Sequence, residues 1–360
     1  MKLLDFIKEN KDWQEKLLKP PYNLIIKHKG EYTLLKYNQL ESDFSDEIVQ
    51  ECRGVILKKE KVVCYAFKKF FNAQEVYAAK LNDNIKALEK VDGSLIKIWQ
   101  DDGKIRISTN GSIDSSDAEI LLPTEDIKTY EDLIIKALKD VGVRLDDFRE
   151  YKDYTLIFEL VSPLSRIVVP YDKTELYFLG ARNNKTFEEY LPYDFGGEIF
   201  DKFKKPKVYD IKTIDQAIEI AKTLGQDKEG FVLVDSNFNR VKVKGTKYLS
   251  LHLLRNNAMS NKLFLKNILE GKDDDLVAFF PEYEPFIKKI KKKLNDLENE
   301  IELAISLAPF DLDRKEFAMQ VKESKHSNIL FKLYKDKNYD WKKELFSVDN
   351  LLKLKSILDI

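Results

Sequence analysis

The sequence predicts an α+β fold followed by an all-helical segment, and three observations carry that expectation. From Tyr22 to Lys247 the chain breaks into short apolar runs bounded by turn residues. Two stretches inside that region keep helical spacing instead. After Lys247 the strand punctuation stops, and Lys- and Glu-rich helical periodicity takes over.

Ahead of the strands, Leu4, Ile7, Trp13, Leu17 and Leu18 recur at helical intervals, so one helix is expected over about Leu3 to Leu18, stopped by Pro20-Pro21. Val55-Ile56-Leu57, Leu95 to Trp99, Leu156 to Val161, Leu176 to Leu179 and Phe231 to Val234 read as strands, with helices at about Tyr130 to Lys139 and Ile214 to Leu224. In the tail, Phe286, Ile290, Leu294, Leu297, Ile301 and Ala304 form one stripe on a helix. The expected domains are therefore residues 1–248, antiparallel sheets with flanking helices, and residues 249–360, all helical. Neither internal repeats nor low-complexity tracts are evident.

With 360 residues, 43% hydrophobic, 22 Phe and 17 Tyr, the chain can fill two cores, which excludes a disordered protein. The formal net charge of -1 supplies no overall attraction for a polyanion, so any such attraction has to be local. Cys52 and Cys64 are the only cysteines, and His28, His252 and His326 lie far apart, which argues against a disulfide framework and a zinc site. Asp5, Lys8 and Glu9 interrupt any leader-like apolar run, and no stretch approaches the roughly 20 apolar residues of a membrane span. A soluble, cytoplasmic protein with no membrane partner is expected, with a monomer favoured.

Lys90-Val91-Asp92-Gly93-Ser94 carries the chemistry. It reads as following a helix end and leading into the Leu95 to Trp99 strand, which turns at Asp101-Asp102-Gly103 into a second strand around Ile105 and Ile107. Alone, Lys-x-Asp-Gly is weak, since ordinary residue usage produces it in about one chain in ten of this length. Its company makes it specific: Glu51-Cys52-Arg53-Gly54 and Lys69-Phe70-Phe71-Asn72 stand upstream. Phe158-Glu159-Leu160, Ser165-Arg166-Ile167-Val168 with Pro170-Tyr171, Glu229-Gly230-Phe231 and Val241-Lys242-Val243-Lys244 follow downstream.

In that order these elements resemble the covalent nucleotidyltransferases, and among them the bacteriophage-type RNA ligase 1 family, over about residues 50 to 255. The resemblance implies an adenylyltransferase domain in which Lys90 carries AMP. It implies that Arg53 and Lys69 contact the β- and γ-phosphates of ATP, that Lys242 and Lys244 contact the α-phosphate, and that Glu159 bonds a ribose hydroxyl. Phe71, Glu89 and Gly93 fall to the nucleotide pocket, and Glu229 to a divalent metal, Mg²⁺ or Mn²⁺. One departure stands out: where the family often has a lysine before Gly-Ser, this chain has Thr109-Asn110-Gly111-Ser112.

The residue types suit that chemistry on physical grounds. A lysine attacking phosphorus must be neutral, yet at pKa about 10.4 fewer than about one in a thousand is neutral at pH 7. Lys242, Lys244 and a metal ion are the cations expected to depress it. Phe231 to Asp235 and Arg240 to Lys244 read as a hairpin; the simplest register pairs Asp235 with Arg240, Leu233 with Lys242 and Phe231 with Lys244, and sets Glu229 on the lysine face.

The resemblance further implies a ligase joining RNA 5′-phosphate and 3′-hydroxyl ends through lysyl-AMP and RNA-adenylate. Its implied substrates are single-stranded breaks or tRNA anticodon loops in RNA repair, with the helical domain selecting the RNA. Because no Gly-x-x-x-x-Gly-Lys-Ser/Thr loop is present, a separate 5′-kinase/3′-phosphatase is expected to heal the ends. A DNA ligase or an mRNA guanylyltransferase shares the lysine motif but continues into a β-barrel that this tail lacks; a non-catalytic nucleotide- or RNA-binding module is the remaining alternative. Bland readings compete at single positions. Glu159 is also readable as a buried structural acid, Arg166 as an internal ion pair, and the lysines from Lys288 to Lys293 as a hydrated helix face. Asp273-Asp274-Asp275 is more naturally a helix cap than a cation site.

Overall fold

The short apolar runs become three sheets in the computed structural model, which describes residues 1–82, 84–258, 261–269, 271, 273, 277, 283–347 and 350–358. The chain divides into two units, Met1–Ser250 and Leu251–Ile360.

In the first unit, β1 (Leu24–Lys29), β2 (Tyr32–Tyr37), β3 (Arg53–Lys58) and β4 (Lys61–Cys64) form an antiparallel sheet in sequence order. The strands β5 (Phe71–Asn72), β6 (Lys86–Lys90), β12 (Val208–Tyr209), β13 (Gly230–Val234) and β14 (Arg240–Lys244) form a second, in the order β12-β6-β13-β14-β5, with only β14 and β5 parallel. A third, β11-β10-β9-β7-β8, joins β7 (Ser94–Asp101), β8 (Lys104–Thr109), β9 (Tyr154–Val161), β10 (Glu175–Asn183) and β11 (Glu189–Tyr190).

Each sheet buries one face under helices. Leu3, Ile7, Trp13 and Leu17 cluster with Leu35, Val55 and Leu57. Helix α4 (Tyr130–Asp140), held at its start by a reciprocal Thr129–Asp132 capping box, sets Leu133, Ile134 and Leu138 against Ile96, Phe158 and Phe178. Helix α5 (Ile214–Thr223) lays Ala217 and Ala221 on Phe231, Leu233, Val241 and Val243.

Three expectations are corrected. The amino-terminal helix is two, Lys2–Glu9 and Trp13–Leu17, because Asn10 takes an extended conformation and its side chain donates to Phe6 O (2.8 Å). The segment before Lys90 is strand β6, not a helix end: Ala, Leu, Glu and Lys all favour helices, but pairing with β13 on one side and β12 on the other overrides propensity. The β13–β14 register is one residue off, pairing Val234 with Arg240, Val232 with Lys242 and Gly230 with Lys244. The cause is Asp235, whose Oδ1 accepts from Asn237 N and Asn239 N (both 2.9 Å) and so draws it out of the ladder into the turn.

In the second unit, the helix Glu284–Leu307 buries Ile287, Ile290, Leu297 and Ile301 in a core shared with Trp341, Leu345, Leu351 and Leu354. Lys288 pairs with Glu284 (2.8 Å), Lys291 with the buried Asp273, and Lys293 donates to Leu358 O (2.7 Å). Asp274 and Asp275 lie outside the described residues. None of the described helices is long and apolar enough to cross a membrane.

Gly230 shows how tightly the second sheet is drawn. It sits at φ +144°, and a Cβ there would lie 2.0 Å from Val243 O. Gly230→Ala is expected to lower unfolding stability by about 3 kcal/mol or more, because strain and a backbone clash add; an unchanged urea midpoint would contradict this.

Candidate active site

The site begins where β6 ends. Lys90 is its last residue, and Val91-Asp92-Gly93 turns the chain into β7. Gly93 lies so close to β9 that a Cβ would fall 2.3 Å from Leu160 O, so only glycine lets the two strands close here. Asp92, buried, ties the turn down: Oδ2 accepts from Val168 N (2.8 Å) and Val169 N (2.7 Å), and Oδ1 from the Tyr248 hydroxyl (2.7 Å).

At the mouth of the turn, Lys90 Nζ lies 2.6 Å from Glu229 Oε2, and Lys244 Nζ lies 2.9 Å from Glu229 Oε1. The corrected register explains how they meet. Gly230 is opposite Lys244, and its unusual φ re-aims Glu229, one residue before the strand, toward both amines. With a side chain only 2% exposed, Glu229 is a buried anion held by two cations.

Burial penalises the Glu229 carboxylate, but Lys90 and then Lys244 outweigh it and hold its pKa below the ordinary value. For Lys90 burial favours the neutral amine, yet Glu229, Glu159 and Asp92 together hold its pKa above that of a free lysine. Of the cations expected to depress Lys90, the two lysines do not do so alone, because three carboxyl groups outweigh them. The depressed lysine is Lys242 instead: burial first, then Lys244 and Lys90, bring it down to about 8. Burial likewise lifts Glu159 to about 8, against the pull of Lys90.

Lys90 opens onto a cavity whose polar rim includes Arg53, Glu89, Glu159 and Arg240 and whose walls include Phe67, Phe70, Leu179, Leu191 and Val232. The Arg53 guanidinium lies 5.0 Å from the Phe70 ring centroid, and its Nη1 is buried without a hydrogen-bond partner. Glu89 accepts from Lys207 N (3.2 Å). Phe71 lines a smaller neighbouring cavity with Lys69, Phe70 and Arg240, so of the two adjacent rings only Phe70 reaches the Lys90 cavity, and it borders both. Lys69 Nζ sits over the rings of Phe44 (4.2 Å) and Tyr37 (4.5 Å), and burial lowers its pKa. Arg166 Nε donates to Val168 O (2.9 Å).

Sequence reasoning passed over Phe67, Phe70, Arg240 and Tyr248. Arg240 gave a signal, a charge at the foot of an apolar strand; it is buried and pairs with Glu189 (2.6 Å). Tyr248 gave none, since its role depends on Asp92, which lies far away in the chain.

A family model described as RNA ligase, of the T4 RNA ligase 1 type, matches residues 51–249. The chain belongs to this RNA ligase family. It is 30% identical over 366 residues to a protein of Autographa californica nuclear polyhedrosis virus described as a bifunctional polynucleotide kinase/RNA ligase, covering 94% of this chain and 51% of that one. It therefore spans about half the length of that relative. To the RNA ligase of Rhodothermus phage RM378 it is 28% identical over 358 residues, covering 83% and 80%. Among solved structures, an archaeal ATP-dependent RNA ligase aligns over 78% of this chain and 74% of that one, at 14% identity and a TM-score of 0.47.

Two measurements test these electrostatics in this family member. Asp92→Ala strands two buried N–H groups and is expected to cost about 3 kcal/mol, whereas Asp92→Asn, which can keep its carbonyl on the backbone and turn its amide to Tyr248, costs clearly less; equal losses in denaturant unfolding would contradict the assignment. Folded Glu159 keeps its proton to about pH 8, against 4.5 for the ordinary group, so between those values the folded chain binds more protons and wild type loses stability as pH rises. Glu159→Gln should therefore gain on wild type from about pH 4.5 to 8 and hold a constant lead above; a lead independent of pH would refute the shift.

Proposed function

We propose that the chain is an ATP-dependent RNA ligase that stores AMP on Lys90. The observation that carries this reading is Lys90 paired to the buried Glu229 beside Lys244, at the mouth of a partly aromatic cavity rimmed by Arg53.

The neutral Lys90 amine attacks the α-phosphorus of ATP; a nitrogen–phosphorus bond forms and the bond to pyrophosphate breaks. A 5′-phosphate oxygen of RNA then takes the AMP, breaking the nitrogen–phosphorus bond, and a 3′-hydroxyl displaces AMP to leave a phosphodiester. Lys242 and Lys244 balance charge at the α-phosphate. Arg53, with a buried nitrogen free of partners, meets the departing phosphates, as positioning and charge neutralisation require. Lys69, held among aromatic rings, and Glu89, Gly93 and Phe71 complete the nucleotide side by the resemblance already drawn. Glu159, protonated at neutral pH, can donate to a ribose hydroxyl.

No group of three metal-ligating side chains occurs among the described residues, but a hydrated cation carried by ATP phosphates needs no more than a carboxylate such as Glu229. Glu229 would hold such a cation, Mg²⁺ or Mn²⁺, which would supply positive charge to the phosphates and to this carboxylate. The RNA ends are single-stranded or tRNA anticodon breaks, healed by a separate kinase/phosphatase in a cytoplasmic repair setting, and residues 249–360 select the RNA.

The test is exposure to α-labelled ATP with Mg²⁺, followed by denaturing electrophoresis. Wild type is expected to hold label, Lys90→Ala none, and Lys244→Met at least tenfold less, by the loss of a charge-assisted contact worth about 1.5–3 kcal/mol. Label on Lys90→Ala, or none on wild type, would overturn the proposal.

A further inference from the structure

Lys27, Lys36 and Arg53 gather where β1, β2 and β3 meet the end of β8, and among the described residues none of them pairs with a carboxylate. The β2–β3 register sets Lys36 directly opposite Arg53, two like charges whose apposition is destabilising unless an anion offsets it. Lys27 Nζ donates to Gly111 O (2.7 Å), and Lys36 Nζ reaches to 3.8 Å from where a Gly111 Cβ would lie.

The backbone holds this group together. Gly54, the residue after Arg53, accepts at its carbonyl from the buried Lys97 of β7. At φ +79° it is pressed on the end of β8, where a Cβ would meet Asn110 O at 2.7 Å. Arg53 points inward from there: it lines the Lys90 cavity, and its Nη1 is buried without a hydrogen-bond partner. Lys36 is half-buried, in touch with solvent, and does not line that cavity. In a chain whose net charge is -1, a local group of uncompensated cations next to the cavity is the attraction for a polyanion that the whole molecule does not supply.

We propose that Lys36 and Arg53 form a phosphate subsite adjoining the Lys90 cavity, with Lys27 adding charge at its rim. The inference rests on the reading of the chain as a ligase whose Arg53 meets phosphate. The chemistry identifies which phosphates. In the first step Lys90 Nζ bonds to the α-phosphorus and the bond to pyrophosphate breaks; in the second, a 5′-phosphate oxygen bonds to that phosphorus and the nitrogen–phosphorus bond breaks. Both displacements are in line, so the RNA 5′-phosphate approaches from the side by which pyrophosphate left. One subsite therefore serves the two in turn. A lysine suits a shared position, because its ammonium is a point charge on a flexible stem and accepts either phosphate. Lys36 and Arg53 repel each other, yet both attract an anion that the two can reach.

The experiment reads the two steps separately in wild type, Lys36→Met, Lys36→Arg and Lys104→Met, the last removing a charge from an exposed lysine at the far end of β8. One arm measures lysyl-adenylate formation against ATP concentration with Mg²⁺. The other mixes purified lysyl-adenylate protein with increasing 5′-phosphorylated oligoribonucleotide and measures RNA-adenylate. Lys36→Met is expected to raise the half-saturating concentration about fivefold in both arms, a modest effect for a charge-assisted contact because the ammonium is partly solvated, with the maximal rate within about twofold. Lys36→Arg, which keeps the charge, restores both constants, and added salt narrows the gap between wild type and Lys36→Met; a merely structural role for Lys36 predicts neither. A rise in one arm alone supports the subsite and assigns it to that arm's phosphate. Constants unmoved in both arms, an equal rise with Lys104→Met, or a Lys36→Arg no better than Lys36→Met overturns the proposal. Should thermal unfolding show that Lys36→Met does not fold, Lys36→Gln takes its place with the same outcomes, and failure of both to fold makes Lys36 structural and overturns it. Absence of label on wild type defeats the ligase reading and this inference with it, whereas normal label with unmoved constants defeats this inference alone.

Discussion

A carboxylate buried between two ammonium groups is the constraint from which the site follows. Glu229 could not be sunk to 2% exposure unpaired, because a lone buried charge is too costly. The end of β6 and the end of β14 must therefore both arrive at it. That demand fixes the positive φ of Gly230, the close packing of Gly93 on β9, and the anchoring of the intervening turn through Asp92.

The same arrangement sets the resting state of Lys90, the proposed nucleophile. At neutral pH, where Glu159 is itself protonated, Glu229 and then Asp92 hold Lys90 toward its charged form against burial. The cations nearby cannot activate the amine while Glu229 remains its partner. Reaction requires that this anion be satisfied by something else first, and the arrival of a nucleotide with its counter-ion is the natural occasion. Under the proposed function the ion pair is a safeguard that withholds the amine until the phosphates are present.

Much of this was legible in the residues. Strands β7, β9 and β13 and helices α4 and α5 were read to within two residues of their ends, the strands because each is a short apolar run buried on successive residues and the helices because each has a clear period; of β10 only Leu176 to Leu179 was read. Strand β6 was not, since Lys-Ala-Leu-Glu-Lys favours helix locally and becomes a strand only through neighbours distant in sequence. The hairpin register failed at Asp235, where side-chain hydrogen bonds decide between turn and ladder. At the site, the ordered motifs grouped Lys90, Glu229, Lys242 and Lys244, of which Lys90 and Lys244 pair with Glu229. What they could not convey was direction: which of Phe70 and Phe71 faces the cavity, or that the net field on Lys90 is negative. Those depend on three-dimensional sums that no local pattern contains. Lys97 and Tyr248 matter only through Gly54 and Asp92, far from them in the chain.

The most direct test of this account is the protonation of Lys90 itself, followed by NMR titration of isotope-labelled lysine in the nucleotide-free protein. Wild type should titrate above an ordinary lysine, and Glu229→Gln should bring Lys90 down. A Lys90 that titrates identically in both proteins would show that Glu229 does not govern the nucleophile.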